Sequence, residues 1–176
     1  MEFLLGISAY ILYFIYDYNS VTRKNRILQK FFLMGTILLT AGIVLEMVRC
    51  GYTVNAVKIF CTIGAIGFFV ALIYTLFFAI PFNDTYVNDS ELREAYTGGV
   101  YSLCRHPGVL WFAGLSVCLW GICGDLRSGL FFLMVTVGDI LYVVYQDIII
   151  FPRTFSNYSE YKQTTPFLIP FGRSTK

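Results

Sequence analysis

One histidine occurs in this chain, His106, and it stands between Arg105 and Pro107. A polar loop, Thr97-Gly98-Gly99-Val100-Tyr101, leads towards it, and an apolar run begins at Val109. A guanidinium and an imidazole at such a border are costly to hold beside hydrocarbon, and the imidazole changes charge near neutral pH. One reading is a helix start, with proline in the first turn and the arginine reaching back to lipid headgroups. The other is a polar pocket in which Arg105 and His106 bind an anionic group or orient a reacting one.

Three acidic side chains fall in or beside apolar runs: Glu46, Asp139 and Asp147. Intramembrane carboxylates face the bundle interior or a site far more often than lipid. Asp147, beside Gln146, comes near the end of the last apolar run, at the depth expected for His106. Asp139 lies two turns deeper, on nearly the face of Gln146. Glu46 stands near the end of the second run, where it is expected to reach water or an interfacial partner. The tail adds Phe155, Tyr158, Tyr161, Pro166, Phe167, Leu168, Ile169 and Pro170. A cation, an imidazole, an amide, a carboxylate and several rings thus converge in sequence logic. Such a set suits a polar, nucleotide-like, partly cationic ligand held against a membrane-embedded substrate.

The elements that must position these groups are apolar. Of the 176 residues, 57% are hydrophobic and only 14% charged, with mean hydropathy +0.66. Runs of about 20 apolar residues cross a bilayer, and in hydrocarbon they do so as helices. Five segments stand out: Phe3–Tyr18, Phe31–Val48, Val57–Phe82, Val109–Cys123 and Gly129–Phe151. The expected fold is an all-α integral membrane protein of about five spans in one domain. Three helices lie within residues 1–82; a loop helix, two helices and the tail lie within 83–176. No cleavable leader is expected, because Glu2 follows Met1 without a basic stretch. Asn88-Asp89-Ser90-Glu91 fits a capping box, so a short helix is expected from there to about Tyr96, closed by Gly98 or Gly99.

The basic residues orient the bundle. Arg23, Lys24, Arg26, Lys30, Arg93, Arg105, Arg153, Lys162, Arg173 and Lys176 fall on one side, against Arg49, Lys58 and Arg127 on the other. The positive-inside rule puts the N-terminus outside and the C-terminus in the cytoplasm. The pocket then faces the cytoplasm, closed by the aromatic tail, in a bacterial plasma membrane or endoplasmic reticulum membrane. On that topology the sequons at Asn83, Asn88 and Asn157 are chance matches. Five cysteines (50, 61, 104, 118 and 123), odd in number and without a CxxC pair, support neither a metal site nor a disulfide framework. Nothing in the composition points to nucleic acid. Gly64 and Gly67 allow close helix packing, and the oligomeric state is open.

Gly99-Val100-Tyr101, Arg105-His106-Pro107, a helix ending in Gln146-Asp147, and Phe155…Tyr158-x-x-Tyr161…Pro166…Pro170 together resemble the isoprenylcysteine carboxyl methyltransferase family and its wider phospholipid methyltransferase relatives. The resemblance covers Thr97 to Pro170. It implies an enzyme that uses S-adenosylmethionine on an amphiphilic small molecule, lipid or lipidated peptide. It further implies that Tyr101, His106, Pro107, Gln146, Asp147, Tyr158 and Tyr161 line the cofactor site, with Arg105 and His106 as candidate catalytic groups. Methyl transfer from a sulfonium needs mainly alignment and exclusion of water. A base helps an amine or hydroxyl acceptor more than a carboxylate, and His106 fits either a base or a cofactor anchor. The chain departs from the family pattern at Val109, where a tyrosine is usual, and at Gln146-Asp147, where two glutamates are. The last helix also lacks the arginine that carboxyl-methylating members carry. A steroid-reductase-like membrane reductase using NADPH, and a non-catalytic relative, are the competing expectations.

Overall fold

The computed structural model describes residues 1–51, 53–79 and 93–169. Among these residues five long helices form: α1 Glu2–Val21, α2 Phe31–Cys50, α3 Ala56–Phe77, α4 Pro107–Cys123 and α5 Leu126–Tyr145. A π-helical turn, Gln146–Ile150, extends α5 into the short helices α6 Phe151–Thr154 and α7 Tyr158–Thr164. Local chemistry sets several boundaries. Asn55 caps α3 by accepting the Lys58 N–H at 2.8 Å, and Asp125 caps α5 by accepting from Ser128 N at 3.0 Å. Pro107 occupies the first turn of α4, and Gly124, at φ 78°, ends it in the left-handed conformation.

Among the described residues, three helical stretches are long and apolar enough to cross a membrane: Leu28–Cys50, Ala56–Phe77 and Leu126–Thr154. α1 is 20 residues long but carries four tyrosines, Asp17 and Asn19, and α4 is an apolar helix of 17 residues. The outward faces of α2 and α3 are strongly apolar, with Leu33, Ile37, Phe60, Ile63 and Phe77 exposed. Water would oppose so large an apolar surface and lipid favours it, so the chain reads as a membrane protein.

α5 sits centrally, with α1 on one side and α4 on the other; α2 packs mainly on α1, and α3 mainly on α4. Gly35 faces Tyr13 and Gly42 faces Leu5, so α1 and α2 are antiparallel. Gly64 faces Cys118 and Gly114 faces Phe68, so α3 and α4 are too. α1 and α5 run the same way. Tyr10, Tyr13, Phe112, Phe131, Phe132, Val135 and Tyr142 form the core between them. The alternation gathers polar groups at two opposite ends of the bundle, one containing His106 and the other Cys50.

Several expectations need correction. Arg93–Thr97 is not helical: Arg93 makes a parallel bridge with Phe155, while the capping box and two sequons, Asn83 and Asn88, lie outside the described residues. Of the two expectations for Glu46, contact with water fails and a partner is found. Glu46 is fully buried, with Arg49 Nη2 2.7 Å from Oε1 and Ser128 Oγ donating to the same oxygen at 2.7 Å. Cys50 and Cys123 form a disulfide with Cα atoms 5.2 Å apart, leaving Cys61, Cys104 and Cys118 free. An odd count and wide spacing hid this pair. Of the two α3 glycines expected in packing, Gly64 takes a Cys118 contact while Gly67 meets nothing.

Gly138 lets α1 approach α5, because a Cβ there would come 2.6 Å from the Tyr10 ring, whose hydroxyl donates to the Val135 carbonyl at 2.7 Å. Gly138→Ala is expected to force the helices apart and destabilise the bundle by about 1–3 kcal/mol. Denaturant unfolding in detergent measures this; an unchanged midpoint would show that the ring yields without loss.

Candidate functional site

The Asp147 carboxylate is the focus of the His106 end. Pro152, lacking an N–H, cannot supply an ordinary helical bond to the carbonyl four residues back. The chain instead takes the wider π turn, in which the Phe151 N–H bonds to the Gln146 carbonyl. Such turns re-aim side chains and recur at functional sites. Here Gln146 points to α1, donating to Asp17 at 2.8 Å, while Asp147 points at the start of α4.

Asp147 then collects donors from two segments, the residues just before α4 and the helix α7. Arg105 grips both oxygens, Nε to Oδ1 at 2.8 Å and Nη2 to Oδ2 at 3.2 Å. The Tyr158 hydroxyl donates to Oδ1 at 2.6 Å, and Lys162 Nζ lies 3.0 Å from Oδ2. His106 Nε2 is 3.3 Å from Oδ1, and because a carboxylate only accepts, that nitrogen carries the proton in this contact. Arg105, His106 and Asp147 are all at most 8% exposed at their side chains. Burial works against the Arg105 charge, but the Asp147 carboxylate outweighs it and holds the guanidinium above its ordinary pKa. Burial, then the same carboxylate, pushes the Tyr158 hydroxyl up.

The tail forms a strap over this cluster. Arg105 N–H donates to the Pro166 carbonyl at 3.0 Å and His106 N–H to the Phe167 carbonyl at 3.3 Å. The Arg105 guanidinium also reaches the Thr165 carbonyl. The Phe167 ring stands edge-on to His106 at 5.0 Å and 5.7 Å from the guanidinium, while Phe151 stacks nearly parallel to the imidazole at 5.7 Å. A second tie holds the strap's base: Asn157 exchanges two hydrogen bonds with the Ala95 backbone, and Ser156 N–H donates to the Arg93 carbonyl.

Of the residues expected from sequence, Arg105, His106, Asp147 and Tyr158 meet directly. Tyr161 and Tyr101 flank them: the Tyr161 hydroxyl donates to the Tyr101 carbonyl, and the Tyr101 hydroxyl to the Thr75 carbonyl at 3.0 Å. Pro107 is buried as the first residue of α4. Gln146 faces the α1 seam, away from the cluster. Asp139 makes no hydrogen bond or ion pair among the described residues. Sequence reasoning missed Lys162, one turn after Tyr158 on α7, and Phe151. It also missed Asp17, a lone acid at the end of a tyrosine-rich helix, whose signal was its depth. A cleft of about 200 Å³ opens beside the cluster, lined by Thr97, Asn157, Glu160, Tyr161 and Thr164.

No protein-family model, no curated protein and no solved structure matches the chain.

The geometry makes Asp147 the anchor of the tail. Tyr158→Phe removes one charge-assisted hydrogen bond, a loss of about 1.5–3 kcal/mol. Asp147→Asn strands Arg105 and Lys162 and is expected to cost about 3–5 kcal/mol. Hydrogen exchange should show residues 158–169 losing protection, Asp147→Asn more than Tyr158→Phe, with the α1–α5 amides unchanged. Equal protection in all three proteins would refute the anchoring role.

Proposed function

We propose that the chain is a membrane-embedded methyltransferase that takes S-adenosylmethionine at the His106–Asp147 cluster and methylates an amphiphilic substrate entering from the bilayer. The carrying observation is the meeting of Arg105, His106, Asp147 and Tyr158, distant in sequence, at one end of an apolar bundle. Five spans, with the N-terminus outside and the cluster facing the cytoplasm, complete the reading. It is supported by eight described basic residues at the His106 end against Arg49, Lys58 and Arg127 at the other.

The donor set fits the cofactor's chemistry. The Arg105 guanidinium and the N–H groups of Arg105 and His106 suit a carboxylate, and the aromatic rings of Tyr158, Phe151 and Phe167 suit a cation. Room is the harder requirement, since a cleft of about 200 Å³ lies below the usual range for such ligands. Binding therefore requires the Thr165–Phe167 strap to lift, which frees those same N–H groups and the outer guanidinium nitrogen. The bound cofactor supplies a methyl group on a positively charged sulfur. The chain's own task is to orient it, exclude water, and hold the acceptor's released proton, a role in which His106 is the candidate base.

A second reading rests on the saturation of Asp147. A carboxylate with four side-chain partners of its own suits a non-catalytic relative that keeps the cluster as a structural clasp.

Calorimetry on the detergent-purified protein separates the two. S-adenosylmethionine and S-adenosylhomocysteine are expected to bind at micromolar concentration and NADPH not at all. His106→Ala and Asp147→Ala should abolish binding while the helices remain inserted, and Glu46→Gln, at the opposite end, should leave it intact. NADPH binding alone would indicate a reductase; no binding of any of the three would favour the structural clasp.

A further inference from the structure

The opposite end of the bundle holds a second built cluster. Cys50, the last residue of α2, is bonded to Cys123, the last residue of α4, across 73 positions of sequence. Beside them, Arg49 Nη2 lies 2.7 Å from Glu46 and 3.0 Å from Asp125, and Ser128 Oγ lies 3.1 Å from Cys50 Sγ. α2 and α4 otherwise touch little, so the disulfide is their principal tie.

The remaining cysteines divide by place. Cys61 and Cys118 face glycines across the α3–α4 contact, Cys61 towards Gly121 and Cys118 towards Gly64, and stay thiols. Cys104, immediately before Arg105, lies buried at the His106 end and also stays a thiol, with burial holding its pKa up. The oxidised pair alone sits at a helix-end position, partly exposed, where a thiolate and its exchange partner can meet. Protein disulfides persist where the surroundings are oxidising and are rare in the cytosol.

We infer that the Cys50–Cys123 end of the bundle lies in a thiol-oxidising compartment, and that the pair is formed there by exchange with the disulfide of a partner oxidoreductase. One cysteine thiolate attacks the partner's disulfide, giving a mixed disulfide and one partner thiol. The second thiolate displaces the other partner sulfur. Two protons and two electrons leave Cys50 and Cys123, and the partner ends as a dithiol. The inference rests on the membrane reading above and is independent of the methyl-transfer chemistry. It reaches the orientation given by the basic residues from a different observation, and sets the His106 cluster on the reducing side.

The test uses the full chain expressed in its membrane. Denatured without reductant and treated with a polyethylene-glycol maleimide, the protein is expected to show three mass shifts, rising to five after reduction. Cys50→Ser should show four in both conditions. Sidedness is read in intact cells with a membrane-impermeant maleimide, in a background with all five cysteines changed to serine and one reporter added. Thr53→Cys, exposed beyond α2, should be labelled; Thr22→Cys, exposed just after α1 and outside the membrane-spanning stretches, should be protected until the cells are opened. Five shifts without reductant, or labelling of Thr22→Cys with protection of Thr53→Cys, would overturn the inference. Neither result bears on S-adenosylmethionine binding, so its failure and that of the methyltransferase reading are separately visible.

Discussion

A carboxylate at the end of a membrane helix stays ionised only if donors replace the water it has lost, and Asp147 obtains them from its own chain. Much of the His106 end follows from that requirement. The π turn at Gln146–Ile150 aims the carboxylate at the start of α4. Arg105 must then lie just before Pro107, so the chain enters α4 through the cluster. Tyr158 and Lys162 must come from beyond α5, so the tail folds back instead of running on along the interface. Backbone ties from Arg105 and His106 to Pro166 and Phe167 complete a closed circuit of contacts. Deleting one member leaves the others charged and buried, which is why the cluster behaves as a unit.

The bundle treats its two ends alike and its middle differently. Each end carries a buried carboxylate gripped by an arginine: Asp147 by Arg105, Glu46 by Arg49. The Arg105–Asp147 pair ties the start of α4 to the end of α5, and Arg49, on the same helix as Glu46, reaches Asp125 and Ser128 to tie α2 to the start of α5. Between them, rings and small residues do the work, as where the Tyr10 ring lies against Gly138. The lipid-facing surfaces of α2 and α3 carry no such specificity. Directional bonds at the ends therefore supply much of the register that dispersion in the middle does not fix.

How much of this was legible in the sequence follows from which signals are local. Apolar run length announced all five long helices, with ends misplaced by a few residues because caps such as Asn55 and Asp125 lie outside the runs. Arg105, His106 and Asp147 were legible as a group because charge is so scarce in this chain that each instance needs a partner. Their partners in the tail were half legible: tyrosine spacing marked Tyr158 and Tyr161, whereas Lys162 looks like any interfacial lysine. The disulfide was not legible, since pairing across 73 residues depends on which helix ends meet. Gln146 is expected beside Asp147 at the cluster, whereas its amide turns to Asp17 on α1, a partner that a single acid in a tyrosine-rich helix does not announce.

The self-satisfaction of the cluster sets a physical limit on any ligand. Opening the strap breaks the two backbone bonds at Arg105 and His106 and the guanidinium contact to Thr165. At about 1 kcal/mol net for each bond, that is about 3 kcal/mol, or two factors of ten in apparent affinity. A ligand that restores those three contacts with its own acceptors recovers most of this loss, and one that cannot is excluded by it. On the proposed function, the strap would favour a ligand with a carboxylate-like acceptor close to a cationic centre, the combination that the guanidinium, the freed N–H groups and the surrounding rings would jointly address.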